Sequence, residues 1–292
     1  MHIKPYKQPI PSLSQDHRVD ILRLDAMHPV ISGNKFFKLR FYIEAALANA
    51  ATTVASFGGP YSNHIVALAF AAKEAGLESI GYIRTNEHEP ITESLAEAKS
   101  YGMQLVFLGR TEFQNKKDAI LLDSKQHPSC YFVDEGGYGP LGAKGAATIL
   151  TDHDTKDYDY IIAAVGTGTM LAGCINAALP NQKMIGIPVL KNECSINEEI
   201  KALLTDKNKA YTLLHQFHQG GYAKTNPMMI EFMNAFWEKE KIPTDIVYTS
   251  KLLFAVDSLI KEDYFEKGIA IIVIHSGGLQ GNRSLPQGTL LF

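Results

Sequence analysis

"IIAAVGTGTMLAG", Ile161 to Gly173, reads as a strand of unbroken apolar residues, a turn of alternating glycine and threonine, and the opening of a helix. A strand apolar at every position is one buried on both faces, the habit of parallel sheets covered by helices. Gly166, Thr167, Gly168 and Thr169 then offer backbone N–H groups and two hydroxyls at the positive end of a helix, a seat for an anion. The spacing fits neither phosphate fingerprint. G-x-x-x-x-G-K-[ST] is absent, and after Gly166-x-Gly168 the next glycine, Gly173, comes two residues late for G-x-G-x-x-G. On this turn alone, structural glycines and a phosphate site are equally good readings.

The same order of strand, turn and helix extends in both directions. Strands are expected at Thr53–Phe57, Ser79–Ile83, Leu105–Leu108, Tyr131–Val133, Tyr160–Val165, Met184–Val189 and Ala270–Ile274. Helices are expected at Lys38–Ala48, Asn63–Ala75, Ala143–Leu150, Asn226–Lys241 and Lys251–Phe265. Alternation of this kind implies an α/β fold of parallel sheets with crossover helices. The glycine-rich loop "DEGGYGPLGAKG", Asp134 to Gly145, is a candidate junction between two lobes.

Composition excludes several functions. A chain of 292 residues can bury a large core and suits a two-lobed enzyme better than a small binding module. With 28 basic and 31 acidic residues the net charge is −3, and no cationic run suits a nucleic-acid backbone. The N-terminus "MHIKPYKQPIPSLSQ" has no apolar signal region, and no apolar run is long enough for a bilayer. The expectation is a soluble, cytoplasmic protein with no membrane or nucleic-acid partner. Cys130, Cys174 and Cys194 are odd in number and lack Cys-x-x-Cys spacing, which argues against a disulfide framework or a metal site and for small buried apolar residues.

Two further turns follow strands, where open α/β sheets bind ligands. In "VASFGGPYSNH", Val54 to His64, Ser62 and Asn63 stand at the start of an alanine-rich helix, where both also make good N-caps. In "IIVIHSGGLQGN", Ile271 to Asn282, His275, Ser276, Gly277 and Gly278 close a strand, and a lone histidine there is more often structural than catalytic. The stretch "ISGNKFFKLRF", Ile31 to Phe41, adds two lysines, Lys35 and Lys38, three residues apart. On a helix they share a face, so one could hold a carbonyl cofactor covalently while the other neutralises its phosphate. Spacing alone favours two solvated surface lysines.

"SGNKFFKLRFYIEAAL", "SFGGPYSNH", "GTGT" and "IHSGG", in this order and at these separations, resemble the pyridoxal-phosphate enzymes that include 1-aminocyclopropane-1-carboxylate (ACC) deaminase and D-cysteine desulfhydrase. The resemblance runs from Ile21 to Leu285 and implies the two-lobed tryptophan synthase β-like fold, with the active site between lobes. The smaller lobe is expected at 48–138 and the larger at 1–47 and 139–292. It further implies that Lys35 carries pyridoxal 5'-phosphate as a Schiff base and that Lys38 lies near the phosphate. Asn63 then meets the phenolic oxygen of the cofactor, Gly166 to Thr169 hold the phosphate, and Ser62 meets the substrate carboxylate. Tyr248 lies beside the ring, with Tyr222 as a second active-site tyrosine. A small amino-acid substrate and a homodimer follow from the same resemblance.

Two positions depart from the ACC deaminase pattern, which has Glu after the ring tyrosine and His-Leu-Gly-Gly near the C-terminus. Here they are Thr249 and Ser276. A hydroxyl supports a protonated pyridine nitrogen less than a carboxylate does, which weakens the electron sink. With Thr249 or Ser276 at that nitrogen, the expected reaction is β-elimination of the D-cysteine desulfhydrase kind, giving pyruvate, ammonia and sulfide. The alternative is ACC deamination to α-ketobutyrate and ammonia. Two other readings stand beside these: a catalytically silent pyridoxal-phosphate-binding paralogue, and a nucleotide- or sugar-phosphate enzyme that uses the glycine turn without pyridoxal phosphate and would be colourless.

Overall fold

The computed structural model describes residues 4–28, 30–31, 33–85, 89–124, 129–191 and 195–292; Ser32 and Cys194, both named above, lie outside them. Ten strands are present among the described residues: β1 (Lys7–Pro9), β2 (Arg18–Arg23), β3 (Thr53–Gly58), β4 (Glu78–Arg84), β5 (Gln104–Leu108), β6 (Cys130–Val133), β7 (Tyr160–Val165), β8 (Lys183–Pro188), β9 (Thr212–Leu213) and β10 (Ala270–His275). The helices are α1 (Asn34–Ala48), α2 (Asn63–Glu74), α3 (Glu93–Ser100), α4 (Arg110–Gln114), α5 (Lys116–Ser124), α6 (Pro140–Thr151), α7 (Thr169–Ala177), α8 (Ile196–Leu203), α9 (Pro227–Glu240) and α10 (Thr249–Lys261).

They form two sheets. One has six strands in the order β1-β2-β10-β7-β8-β9, the other four in the order β5-β4-β3-β6, and every pairing except β1 with β2 is parallel. The two sheets draw on separate stretches, 53–133 for the four-stranded one. The glycine-rich stretch after β6 carries the chain back to α6 and β7 of the six-stranded sheet. Along β7, Ile161, Ala163 and Val165 join one apolar cluster and Tyr160, Ile162 and Ala164 another. The first cluster is completed by α6, α7 and α8 and the second by α9 and α10, so helices cover both faces, as the unbroken apolar run demands. In β10, Ile271, Ile272, Val273 and Ile274 are all 0% exposed, each contributing about 1.5–3 kcal/mol relative to an exposed side chain.

The strand β2 escaped the sequence reading because "RVDILR" breaks its apolar run with Arg18, Asp20 and Arg23. Their charges are satisfied locally. Tyr158 donates to Asp20 at 2.5 Å, Arg18 donates to both, and Arg23 makes a two-pronged pair with Asp25, 2.6 and 2.8 Å, among buried side chains. No described helix is long and apolar enough to cross a membrane.

The helix that joins the sheets is α1. Its Phe37 packs into the core of the six-stranded sheet, while Leu39, Tyr42 and Ala46 pack with α2 and β3 of the other. It begins earlier than the pattern suggested, at Asn34, directly after Gly33 at φ +65°. A side chain at Gly33 would lie 2.0 Å from the carbonyl oxygen of Ser276, so only glycine lets α1 start against the end of β10.

Candidate active site

Two adjoining cavities open beside the carboxyl ends of β3, β7 and β10. One is lined by Asn34, Lys35, Asn63, Tyr248, Ser276 and Gly278 among others. The other is lined by Asn34, Lys35, Lys38, Gly136, Gly166, Thr167, Gly168 and Tyr248 among others. Asn34, Lys35 and Tyr248 line both, so the Lys35 amine stands where the cavities meet. No described lining residue of either is Asp or Glu.

The lysines are not surface residues. Lys38 is 2% exposed, and it lines the second cavity together with Lys35, one turn earlier on α1. Burial lowers Lys35 to about 8, and its Nζ also reaches the Gly136 carbonyl at 3.4 Å. Lys38 falls well below the usual range, first through burial and then through the charge of Lys35. Beside them His64, also 2% exposed, is held by burial and both lysines well below its usual range, hence neutral; its Nε2 bonds Ser56 Oγ at 2.8 Å.

The glycine turn is shaped to receive an anion. Gly168, at φ +77°, caps the N-terminus of α7, and the hydroxyls of Thr167 and Thr169 lie 3.0 Å apart. A Cβ on Gly166 would meet the Tyr248 ring at 3.2 Å, and one on Gly136 would meet Thr167 at 3.0 Å. Across the cleft Ser62 caps α2 by accepting from Ile65 N at 3.4 Å. Asn63 Nδ2 donates to the Gly278 carbonyl at 3.2 Å, while its buried Oδ1 has no partner among the described residues.

Tyr248 precedes α10 and meets Tyr222 edge to face, with ring centroids 6.2 Å apart. Burial, and then the neighbouring phenol, push Tyr248 well above its usual range. The structure therefore brings Lys35, Lys38, Asn63, Gly166 to Gly168, Tyr248 and Ser276 to one place, with Ser62, Thr169 and Tyr222 adjoining. Thr249 is not brought there. It is 0% exposed, and its hydroxyl both donates to Asp245 Oδ1 and accepts from Asp245 N, each at 2.7 Å. The histidine of the Ser-Gly-Gly turn has a structural role: His275 is 0% exposed, bonded to the Pro243 carbonyl at 2.7 Å and to Gly277 N at 3.2 Å.

Sequence reading missed Gly136, whose carbonyl faces Lys35, and Asp245, whose carboxylate gathers the N–H groups of Val247, Tyr248 and Thr249. The glycines after Asp134 were a visible signal for the first. Asp245 four residues before Thr249 was a visible capping signal for the second.

The family model described as "Pyridoxal-phosphate dependent enzyme" matches residues 5–277. The chain belongs to this family. A protein of Pyrococcus horikoshii, provisionally named a 1-aminocyclopropane-1-carboxylate deaminase, is 27% identical over 95% of this chain and 91% of its own length. The bifunctional D-cysteine desulfhydrase/1-aminocyclopropane-1-carboxylate deaminase of Arabidopsis thaliana is 24% identical over 93% of this chain and 75% of its own. A crystal structure described as an ACC deaminase homologue superposes with a TM-score of 0.84 at 25% identity, covering 96% of this chain and 91% of that one. The sheets and helices found here are those of the tryptophan synthase β-like pyridoxal-phosphate enzymes, as the sequence motifs implied.

The residues present fit pyridoxal phosphate. A weakly basic amine stands between two cavities, one edged by a second lysine and the start of α7, the other by a carboxamide with an unfilled acceptor. Glycines at 166 and 278 leave space beside the Tyr248 ring that side chains would fill.

Proposed function

We propose that this pyridoxal-phosphate enzyme is a D-cysteine desulfhydrase-like lyase, releasing pyruvate, ammonia and sulfide by β-elimination. The observation that carries this reading is the absence of any carboxylate among the described residues lining the cavities, with Ser276 on the wall instead. Opening a cyclopropane that has no α-hydrogen calls on the strongest electron sink, whereas elimination of a good leaving group needs only removal of an α-proton. Relatives named for both activities leave the family open to either.

In this reading Lys35 holds the cofactor and moves the α-proton; its lowered basicity makes a neutral amine accessible near neutral pH. Lys38 and the Gly166–Thr169 turn hold the phosphate. Ser62 and the N-terminus of α2 take the substrate carboxylate, Asn63 orients the cofactor, and Tyr248 with Tyr222 relays protons. The bound cofactor supplies the electron sink for charge developing at the α-carbon. Residues 48–138 form the smaller lobe of this proposal and 1–47 with 139–292 the larger, with the site between them. Homodimer assembly belongs to it on the resemblance alone, and a cytoplasmic location on the composition of the sequence.

The test measures pyruvate and sulfide from D-cysteine beside α-ketobutyrate from ACC, with purified wild type. Efficient D-cysteine turnover with little from ACC is the expected result. ACC turnover with D-cysteine inert overturns the reading.

A further inference from the structure

Lys251 is a buried cation for which the site described above has no use. It is the third residue of α10, is 1% exposed, and donates through Nζ to the carbonyl of Gly221 at 2.5 Å. Removing an ammonium from water for the sake of a neutral acceptor is costly, and an apolar side chain would fill the space without that cost. Burial lowers the amine to about 8 while Asp245 acts to raise it, so it is still protonated at neutral pH.

What the ammonium holds is a bend that the backbone does not favour. Gln219, Gly220, Gly221 and Ala223 all have positive φ, at 48°, 89°, 112° and 52°, and two of these four are not glycine. Tyr222 sits in the middle of this bend, half-exposed to solvent, with its ring against Tyr248. The Gly221 carbonyl, one peptide before Tyr222, accepts from Lys224 N at 3.1 Å as well as from Lys251. Lys251 in turn stands three residues after Tyr248, on the helix that Tyr248 precedes. The amine thus ties the loop that carries one tyrosine to the helix that carries the other, and it lines neither cavity.

We propose that Lys251 is a positioning residue, which holds Tyr222 against Tyr248 by pinning the Gly221 carbonyl. The inference rests on the reading that this tyrosine pair serves the elimination. Without the amine the bend relaxes and Tyr222 leaves its partner, while the cofactor pocket is untouched.

The test compares cofactor-loaded wild type, Lys251→Met, Tyr222→Phe and the double variant, by pyruvate release from D-cysteine and by amide deuterium exchange. Lys251→Met is expected to exchange about tenfold faster across 218–225 with no change across β10, to keep the absorbance of the bound cofactor, and to lose about tenfold in kcat with KM nearly constant. In the Tyr222→Phe background the same change should lower kcat less than about twofold further, because the residue it positions is already silenced. Unchanged exchange across 218–225 overturns the proposal, and so does an equal kcat loss in both backgrounds, the mark of a merely structural lysine. Should Lys251→Met fail to fold, Lys251→Arg decides: native exchange with kcat within about threefold supports a cationic tether, and a loosened loop overturns it. If D-cysteine proves not to be a substrate, the functional reading falls and the exchange measurement still decides this one.

Discussion

Lys35 and Lys38 stand one turn apart on α1 and line the same cavity, and no described residue lining that cavity is a carboxylate. Burial disfavours both ammoniums, and the charge of Lys35 drives Lys38 further toward neutrality. In the proposed reading an anion seated on the α7 turn resolves the conflict asymmetrically, with Lys38, the deeper, as its partner and Lys35 left as the nucleophile. Borohydride reduction of the loaded enzyme, followed by peptide mapping, should therefore place the cofactor on Lys35. Lys38→Met should weaken cofactor retention by about 1–3 kcal/mol, the scale of a charge-assisted hydrogen bond, while preserving that attachment. A label on Lys38 would falsify the assignment.

The same crowding sets a pH dependence in protein freed of cofactor. Lys35 and Lys251 are both lowered from 10.5 to about 8, and Lys38 lies lower still, so the folded chain binds fewer protons than the unfolded chain between about 8 and 10.5. Stability then rises with pH across that window. Above pH 10 the buried phenols act in the opposite sense, because Tyr42, pushed up to about 12, and Tyr248 keep protons that the unfolded chain gives up. Urea midpoints should climb from pH 8 to pH 10, and climb less in Lys35→Met. Identical slopes in the two proteins would show that the Lys35 amine is not depressed.

How far the fold was legible depended on where polar groups go. β7 has the same bounds in sequence and structure, Tyr160–Val165, because nothing interrupts its apolar run. β2 was hidden because its charges are paid for by Tyr158 and Asp25, residues outside the strand that no periodicity rule can see. At the site, the motifs around Lys35, Asn63, Gly166 and Tyr248 were readable as motifs. The burial of Lys38 was not, since a lysine at helical spacing reads as solvated until α6 and the Gly136–Gly137 bend are packed over it. Lys251 was visible only as the start of a helix, and its acceptor lies 30 residues away in sequence.

Gly33 couples the start of α1 to the end of β10, which makes it a sharp test of how the site is assembled. At φ +65°, with Ser276 O at 2.0 Å and Gly277 Cα at 2.8 Å from any added Cβ, alanine cannot be accommodated without separating the two segments. Gly33→Ala should cost about 2–4 kcal/mol of stability and release cofactor, since Lys35 and Ser276 shift together. Gly59→Ala is the control: nothing lies within 4 Å of its Cβ, and its effect on stability should stay within about 0.5 kcal/mol. Similar thermal midpoints for the two variants would contradict this account of α1.

Thr249 and Ser276 both replace residues of the ACC deaminase pattern, and the structure assigns them different work. The Thr249 hydroxyl is shared twice with Asp245, and Asp245 spends its remaining capacity on Val247 N and Tyr248 N at 2.8 and 2.9 Å and on Thr249 N at 2.9 Å. This closes the first turn of α10 and leaves the hydroxyl no proton to donate to a cofactor nitrogen. Thr249→Val keeps the shape, strands the Asp245 N–H and takes one donor from a buried carboxylate. It should therefore cost about 2–4 kcal/mol in urea unfolding. It should leave the ratio of pyruvate formed from D-cysteine to α-ketobutyrate formed from ACC within about twofold of wild type. Ser276→Ala, on the cavity wall, should behave in the opposite way, with stability nearly unchanged and the ratio moved several-fold. If Thr249→Val shifts the ratio while Ser276→Ala does not, the hydroxyl that faces the pyridine nitrogen is that of Thr249, and the cap on α10 must open when the cofactor binds.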